Sequence, residues 1–419
     1  MLKGELMRRA GLALVVLLCL TTGVLAQEAN PIILGQIAYI GVDFNVYTLS
    51  GDSRTMLTDD AGIQTERLRY YQFPTWSTDG RLAYFGTEVT VEREVSMEVF
   101  VSADGTADGE SVYVGEDQTF TYAYWSPSSC GGDCYDLAVL LSSAAANGFL
   151  VNVIRDSADE SSVTQIGTGS PFYYSWSPDG QRMVWHRNNR QIDIYDASAG
   201  EISSTLDETP GAFFAPAWSP VDDRVLFGVA NGQNTDLTVA ANGEVITLVE
   251  NLPSPIHFVW SPDGNQIAYK DANNPLIVID AITGEIVAQT NVSDVYAFFW
   301  SPDSRFIAYI TPAELPGSFS AKPFNQNSEP PELSWSVLEV ATSDSHRYGG
   351  FAPTSDQLYL LTYFDQFAQS HRVWSPDSRH LIYSEIDADN TPQIMLLDTQ
   401  SNVVPLSVAE GFFGVWSFE

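Results

Sequence analysis

Trp260-Ser261-Pro262-Asp263-Gly264-Asn265-Gln266-Ile267-Ala268-Tyr269 is the stretch whose reading decides the fold. A large ring stands before the turn residues, and a short apolar run ending on an aromatic stands after them. Pro at the second turn position presets φ, and Gly at the fourth suits a type I turn. The segment therefore reads as strand, tight turn, strand.

The same pattern returns along the whole chain. Trp-Ser pairs stand at Trp76, Trp125, Trp176, Trp218, Trp260, Trp300, Trp374 and Trp416, with spacings of 49, 51, 42, 42, 40, 74 and 42. A period of roughly 40–45 residues is that of a four-stranded propeller blade. Ser177-Pro178-Asp179-Gly180 is a full copy, while Ser301-Pro302-Asp303-Ser304 and Ser375-Pro376-Asp377-Ser378 put Ser in place of Gly. The last residues, Val415-Trp416-Ser417-Phe418-Glu419, read as a first strand without a second. Gly35-Gln36-Ile37-Ala38-Tyr39 reads as a second strand without a first. The expectation is an all-β, eight-bladed β-propeller of four-stranded antiparallel blades, closed by pairing of the C-terminal strand with the N-terminal blade. Such closure removes open sheet edges. Alternation such as Gln191-Ile192-Asp193-Ile194-Tyr195 is the period-two strand signal, and Leu276-Ile277-Val278-Ile279 reads as a strand buried on both faces.

The N-terminus reads as a targeting segment. Lys3, Arg8 and Arg9 precede the apolar run 10–20, and Val24-Leu25-Ala26 offers a cleavage site. Residues 1–26 are thus read as a signal peptide, 27–34 as a lead-in and 35–419 as the propeller. The apolar run is short for a membrane span, and Cys19 lacks the small preceding residue of a lipoprotein signal. The expected location is secreted or periplasmic, with no integral membrane segment after cleavage.

The formal charge is −34, and without the leader about −36, with Lys270 and Lys322 the only remaining lysines. Such a surface repels nucleic acid and anionic lipid. Aromatics at 12% suit a turn-rich β fold, and no long helix is expected beyond the leader. Cys130 and Cys134, set in Ser129-Cys130-Gly131-Gly132-Asp133-Cys134 where other repeats carry the turn, read as a disulfide stapling an enlarged turn. A metal site there would need further ligands.

Between Trp300 and Trp374 lies nearly twice the usual repeat length. Pro353-Thr354-Ser355-Asp356-Gln357-Leu358-Tyr359-Leu360 faintly resembles a turn and second strand, but too few residues follow to complete another blade. One blade with two insertions, 311–332 and 349–370, is the expectation. Both connections would emerge on one face, opposite the cysteine-stapled turn, and that face is expected to engage a partner.

The repeated Trp-Ser-Pro-Asp-Gly followed by Ile-Ala-Tyr resembles the TolB-type, WD-like β-propeller repeat, over essentially the whole chain after the leader. The resemblance implies an exported scaffold or binding protein. The chain departs from TolB in showing no separate N-terminal α/β domain. Related propellers precede a hydrolase domain in prolyl oligopeptidase-like enzymes, but Gly-x-Ser-x-Gly does not occur here.

Neither His-Glu-x-x-His nor a Gly-rich phosphate loop is present, and no residue is assigned a catalytic or metal-binding role. His257 and His371 each stand three residues before a repeat Trp, in a column with Phe73, Tyr122 and Tyr173, and Tyr71 stands beside it. These residues begin the first strands, so they either rim a funnel suited to a sugar or peptide or pack between blades. Arg372, Arg379, His371 and His380 form a cationic spot suited to docking a carboxylate, or to balancing Asp377. Asp387-Ala388-Asp389-Asn390 is either a calcium site or a hairpin tip. No other cofactor is expected. The reading is a monomeric, exported, non-enzymatic scaffold binding a protein or glycan in the cell envelope. A carbohydrate-active enzyme, a lyase or hydrolase with its site at the channel mouth, is the alternative.

Overall fold

Each Ser-Pro-Asp-Gly turn is built the same way, and the building explains its composition. In the computed structural model the Ser261 amide donates to Gln266 O at 2.9 Å, and the Gly264 amide donates to Ser261 O at 2.9 Å. The Ser261 hydroxyl donates to Asp263 Oδ1 at 2.6 Å and accepts the Gln266 amide at 2.9 Å. Ser177, Ser301 and Ser375 repeat both bonds. The fourth position is left-handed, φ +69° at Gly264 and +60° at Ser304. Glycine takes that conformation without steric cost. Ser304 instead accepts the Asp263 amide of the neighbouring turn at 3.1 Å, as Ser378 does from Asp303.

The structure describes residues 33–157, 161–211, 214–313, 332–401 and 403–419. The leader, residues 27–32 of the lead-in and 314–331 of the first insertion lie outside the described residues.

The strands form seven sheets, which corrects the expected eight separate four-stranded blades. Five sheets have four strands, one has five and one has six. The physical reason is the strand Leu406–Trp416, which runs eleven residues without a turn. Its first half pairs with Pro392–Asp398, Leu406 opposite Leu396, and its second half pairs with Ile37–Gly41, Trp416 opposite Ile37. Two ladders that were expected to lie in separate blades therefore share one strand. Trp374, expected to open a blade of its own, contributes only an isolated bridge to Leu381. The five-stranded sheet gains its extra member from Gly62–Ile63, paired to Arg67–Trp76.

Within a sheet, burial falls from the first strand to the last. In the sheet that begins at Phe172–Trp176, the third strand Gln191–Asp196 is still largely covered, while Glu201–Thr205 is exposed throughout. The first strands are joined to one another by their tryptophans. The indole N–H of Trp125 donates to Thr75 O at 3.1 Å, Trp176 to Tyr124 O at 3.0 Å, and Trp260 to Ala217 O at 3.0 Å. Trp300 reaches Val259 O at 3.2 Å and Trp374 reaches Phe299 O at 3.0 Å. In each case the acceptor is the carbonyl just before the preceding repeat's Trp. At these five repeats Trp serves better than Phe because its edge nitrogen satisfies a backbone group of the neighbouring sheet, whereas the indole N–H groups of Trp76, Trp218 and Trp416 have no partner among the described residues.

Cys130 and Cys134 form a disulfide with Cα atoms 5.3 Å apart. The stapled turn is tied to the preceding sheet by Arg81, which pairs with Asp133 at 2.5 Å, Asp156 at 2.5 Å and Asp79 at 2.9 Å.

The second insertion, where no long helix was expected, contains two short ones, α1 at Ser355–Thr362 and α2 at Phe364–Phe367. Thr354 caps α1, its hydroxyl accepting the Gln357 amide at 3.1 Å. It also donates to Phe412 O at 2.6 Å, fixing the start of α1 against the shared strand. The segment faintly resembling a turn and second strand is therefore a capped helix.

Candidate functional site

Instead of decorating the outer face, the two helices lie among the first strands. Tyr122 donates to Gln366 O at 2.9 Å and Tyr359 donates to Thr121 O at 3.2 Å. Gln369 reaches Pro216 O at 3.5 Å, and His257 Nδ1 stands 3.3 Å from Asp365 Oδ2. Phe364 packs on Phe298 at 4.7 Å and Phe367 on Phe73 at 5.6 Å. These partners come from widely separated repeats, so the helices plug the centre on which the first strands converge.

The plug decides where each expected site residue lies. Phe73 is buried against Phe120, Tyr359, Phe367 and Phe413. Its φ of +42° sits at an irregularity in the strand register, before Pro74, which re-aims the ring. Tyr122 is buried with its ring edge-on to Phe367 at 5.2 Å. Tyr71 is buried with its hydroxyl donating to Asp60 at 2.7 Å and accepting from Arg69 at 3.2 Å. Tyr173 is half-buried beside His186, its pKa raised by burial and then by the Asp365 charge.

His257 and His371 share a sequence position but not a site. His257 is half-buried, facing Asp365 and stacked near Phe364 at 5.3 Å. His371 is buried, its Nδ1 2.7 Å from the Ser370 hydroxyl and its ring 4.8 Å from Phe367. Burial pushes its pKa down to about 3, a contact with the Phe73 backbone opposing this only in part. The expected cationic spot is divided as well. Arg379 is exposed and paired with Asp398 at 2.7 Å, whereas Arg372 turns inward.

Beyond the plug, the centre opens as a cavity of about 320 Å³. Its mouth is ringed by Thr78 and by Pro127, Pro178, Pro220, Pro262 and Pro302, the second residues of successive turns. The walls carry Trp176, Trp218, Trp260, Trp300 and Trp374; Asp365, Ala368, Gln369, His371 and Arg372 come from the plug end, and Phe418, which follows Trp416-Ser417 as Pro262 follows Trp260-Ser261, stands with the turn residues. The cavity therefore opens on the face of the Ser-Pro-Asp-Gly turns, opposite to that expected from the insertions.

Arg372 is the cation of this cavity. Its guanidinium carbon stands 4.0 Å from the Phe418 ring centre, and Nη1 lies 3.5 Å from Phe418 O. Burial lowers its pKa to about 10, with the Tyr124 phenol opposing. Among the described residues no carboxylate lies within ion-pairing distance of it. Asp365, at the same end, is committed elsewhere: one oxygen accepts the Gln366 amide at 3.0 Å and the other faces His257.

Asp387 lies at the tip of a hairpin. Its Oδ1 accepts the amides of Asp389 and Thr391, both at 2.9 Å, and Asn390 is left-handed at φ +60°. Asp365 and Gln369 were not legible as site residues. The spacing Thr354-x-x-Gln357 is that of a capping box and was the available signal for α1, whereas Asp365 lies on α2 and Gln369 just after it.

No family model and no curated protein matches the chain. Solved structures do. A structure of a eukaryotic initiation factor is 12% identical, with 91% of this chain and 98% of that one covered and a TM-score of 0.50. TolB from Acinetobacter baumannii is 13% identical over 84% of this chain and 85% of its own, with a TM-score of 0.39. The β-propeller domain of the Trilobed protease from Pyrococcus furiosus, described as having an open velcro topology, is 11% identical over 84% and 96%, with a TM-score of 0.46. The fold is a β-propeller. At these identities the likeness extends to the propeller's architecture and not to a shared activity. Among the described residues, no helix of the propeller is long and apolar enough to cross a membrane.

Proposed function

We propose that this chain is an exported, non-enzymatic binding propeller, anchoring a protein or glycan partner of the cell envelope at the central cavity of its turn face. The observation that carries the reading is the cavity itself, walled by five indoles and closed behind by α2 and the residues after it. A pre-formed, mostly apolar concavity with a few convergent polar groups is the usual form of a ligand site. The leader sequence and the Cys130–Cys134 disulfide support an extracytoplasmic location, since disulfides persist in oxidising compartments.

The test uses the mouth. Pro220 and Pro262 are exposed there, and the double variant Pro220→Glu/Pro262→Glu adds charge without touching the core. A partner captured from native envelope by the wild type should be lost by this variant at unchanged thermal stability. Equal capture would remove the cavity from the binding surface.

The alternative of a carbohydrate-active enzyme is favoured by one observation, the His257–Asp365 pair beside the plug. Under that reading His257→Ala abolishes sugar release from a polysaccharide panel. Under the binding reading there is no release to abolish.

A further inference from the structure

We infer that the group accepted by the central cavity is a carboxylate carried on a flat apolar body, paired with Arg372 and held between the indole walls. The inference rests on the reading of the cavity as a binding site and adds the chemistry of what enters it.

The first argument is charge. The chain has 53 acidic residues against 19 basic ones, so arginines find carboxylates readily. Arg67, Arg81, Arg187 and Arg379 all do. Among the described residues Arg372 has no such pair, and neither do Arg54, Arg93, Arg190 and Arg347, but of these Arg372 alone lines the cavity, where it is half-buried. A desolvated guanidinium without a counter-charge is costly, and an entering carboxylate offsets that cost. The Phe418 ring covers one face of the guanidinium at 4.0 Å. Covering a face leaves the planar edge, which matches a carboxylate in a two-pronged pairing.

The second argument is what the walls withhold. The indole N–H groups of Trp176, Trp260, Trp300 and Trp374 are spent on backbone carbonyls of neighbouring sheets. What those indoles present to the cavity is apolar surface. The exception is Trp218, whose buried indole N–H has no partner among the described residues; against the other four walls a sugar's hydroxyls would go unsatisfied, at about 1–3 kcal/mol each. A flat apolar body meets the indoles without that penalty. Asp365, the one carboxylate of the plug end, is turned to the Gln366 amide and His257, so it does not claim Arg372 in the ligand's place.

Isothermal titration of the folded propeller with 2-naphthoate, and with its neutral isostere 2-naphthamide, tests the inference. The acid should bind roughly tenfold or more tightly than the amide, the range of a charge-assisted hydrogen bond. Arg372→Gln should erase that preference while leaving the amide's affinity in place, and Arg372→Lys should keep part of it. Should Arg372→Gln fail to fold, Pro220→Glu/Pro262→Glu still decides, because charge at the mouth should weaken the acid more than the amide. Equal binding of acid and amide would overturn the carboxylate while leaving the cavity as a site. Binding of neither would overturn both.

Discussion

Acidification should loosen this propeller through His371. The imidazole is buried, and its pKa is pushed from 6.5 down to about 3. Between those values the unfolded chain binds a proton that the folded chain does not, so stability rises with pH and falls as pH drops through 6.5. At about pH 5, roughly 1.5 pH units below the unfolded value, the loss at 1.36 kcal/mol per unit is about 2 kcal/mol. Since pH 5 is still well above the folded value, the figure is set by the unfolded chain alone. The aspartates held below their ordinary range, Asp179, Asp263 and Asp398 among them, contribute stability that is lost only as pH falls through and below the carboxylate range. They therefore change little in this window. Urea unfolding followed by tryptophan fluorescence, at about pH 7.5 and about pH 5, measures the loss in the wild type and in His371→Gln. The buried His186, whose pKa is also lowered by burial, is present in both and cancels in the comparison. The wild type should lose about 2 kcal/mol more than the variant over this interval. Equal losses would refute the claim that His371 is held neutral in the folded core.

Three further outcomes follow from contacts described above. Trp300→Phe deletes the donor to Val259 O and should cost about 1–3 kcal/mol in chemical denaturation, whereas Trp76→Phe, whose indole N–H meets no acceptor among the described residues, should cost less. Replacing Cys130 and Cys134 by Ser opens a loop with a sequence separation of only 4, so the melting curve should fall by no more than the equivalent of about 2 kcal/mol and the fold should persist. Asp356 has its pKa raised to about 6 by burial, so the folded state holds a proton that the unfolded chain has released between the ordinary value and 6, and stability declines as pH rises through that window. Asp356→Asn should therefore stabilise the protein in urea unfolding near pH 7.5 more than near pH 4.

The repeat, the joining of the chain's ends and the disulfide were legible because each follows from residues close in sequence or from a pattern repeated many times. Trp416 beside Ile37 is one such case, and Cys130 with Cys134 is another. The sheet count was not legible. Nothing between Leu406 and Trp416 marks where one ladder ends, because no turn separates them, and the irregularities are register shifts, one where Gly411 faces Gly41 and one between Ser407 and Ala409. The plug was missed for a different reason. Its helices are short, and their buried side is set by aromatics arriving from many repeats rather than by an apolar stripe in the local sequence. The candidate site followed the plug. Residues expected to rim an open funnel, Phe73, Tyr122 and His371, instead grip the helices, and His371 with its neighbour Arg372 from the expected cationic spot also lines the cavity on the other side.

The strand Leu406–Trp416 also has a kinetic meaning. Gln36 and Ser417, bonded at 2.8 Å, are 381 residues apart, so the sheet they share cannot form until nearly the whole polypeptide is available. Contacts of such long range are slow to make. Until they form, the opening segment waits with an unpaired edge, and it is during this wait that folding is most exposed to misassociation. Once the strand is in place it holds two ladders at once, so peeling it away would dismantle both together.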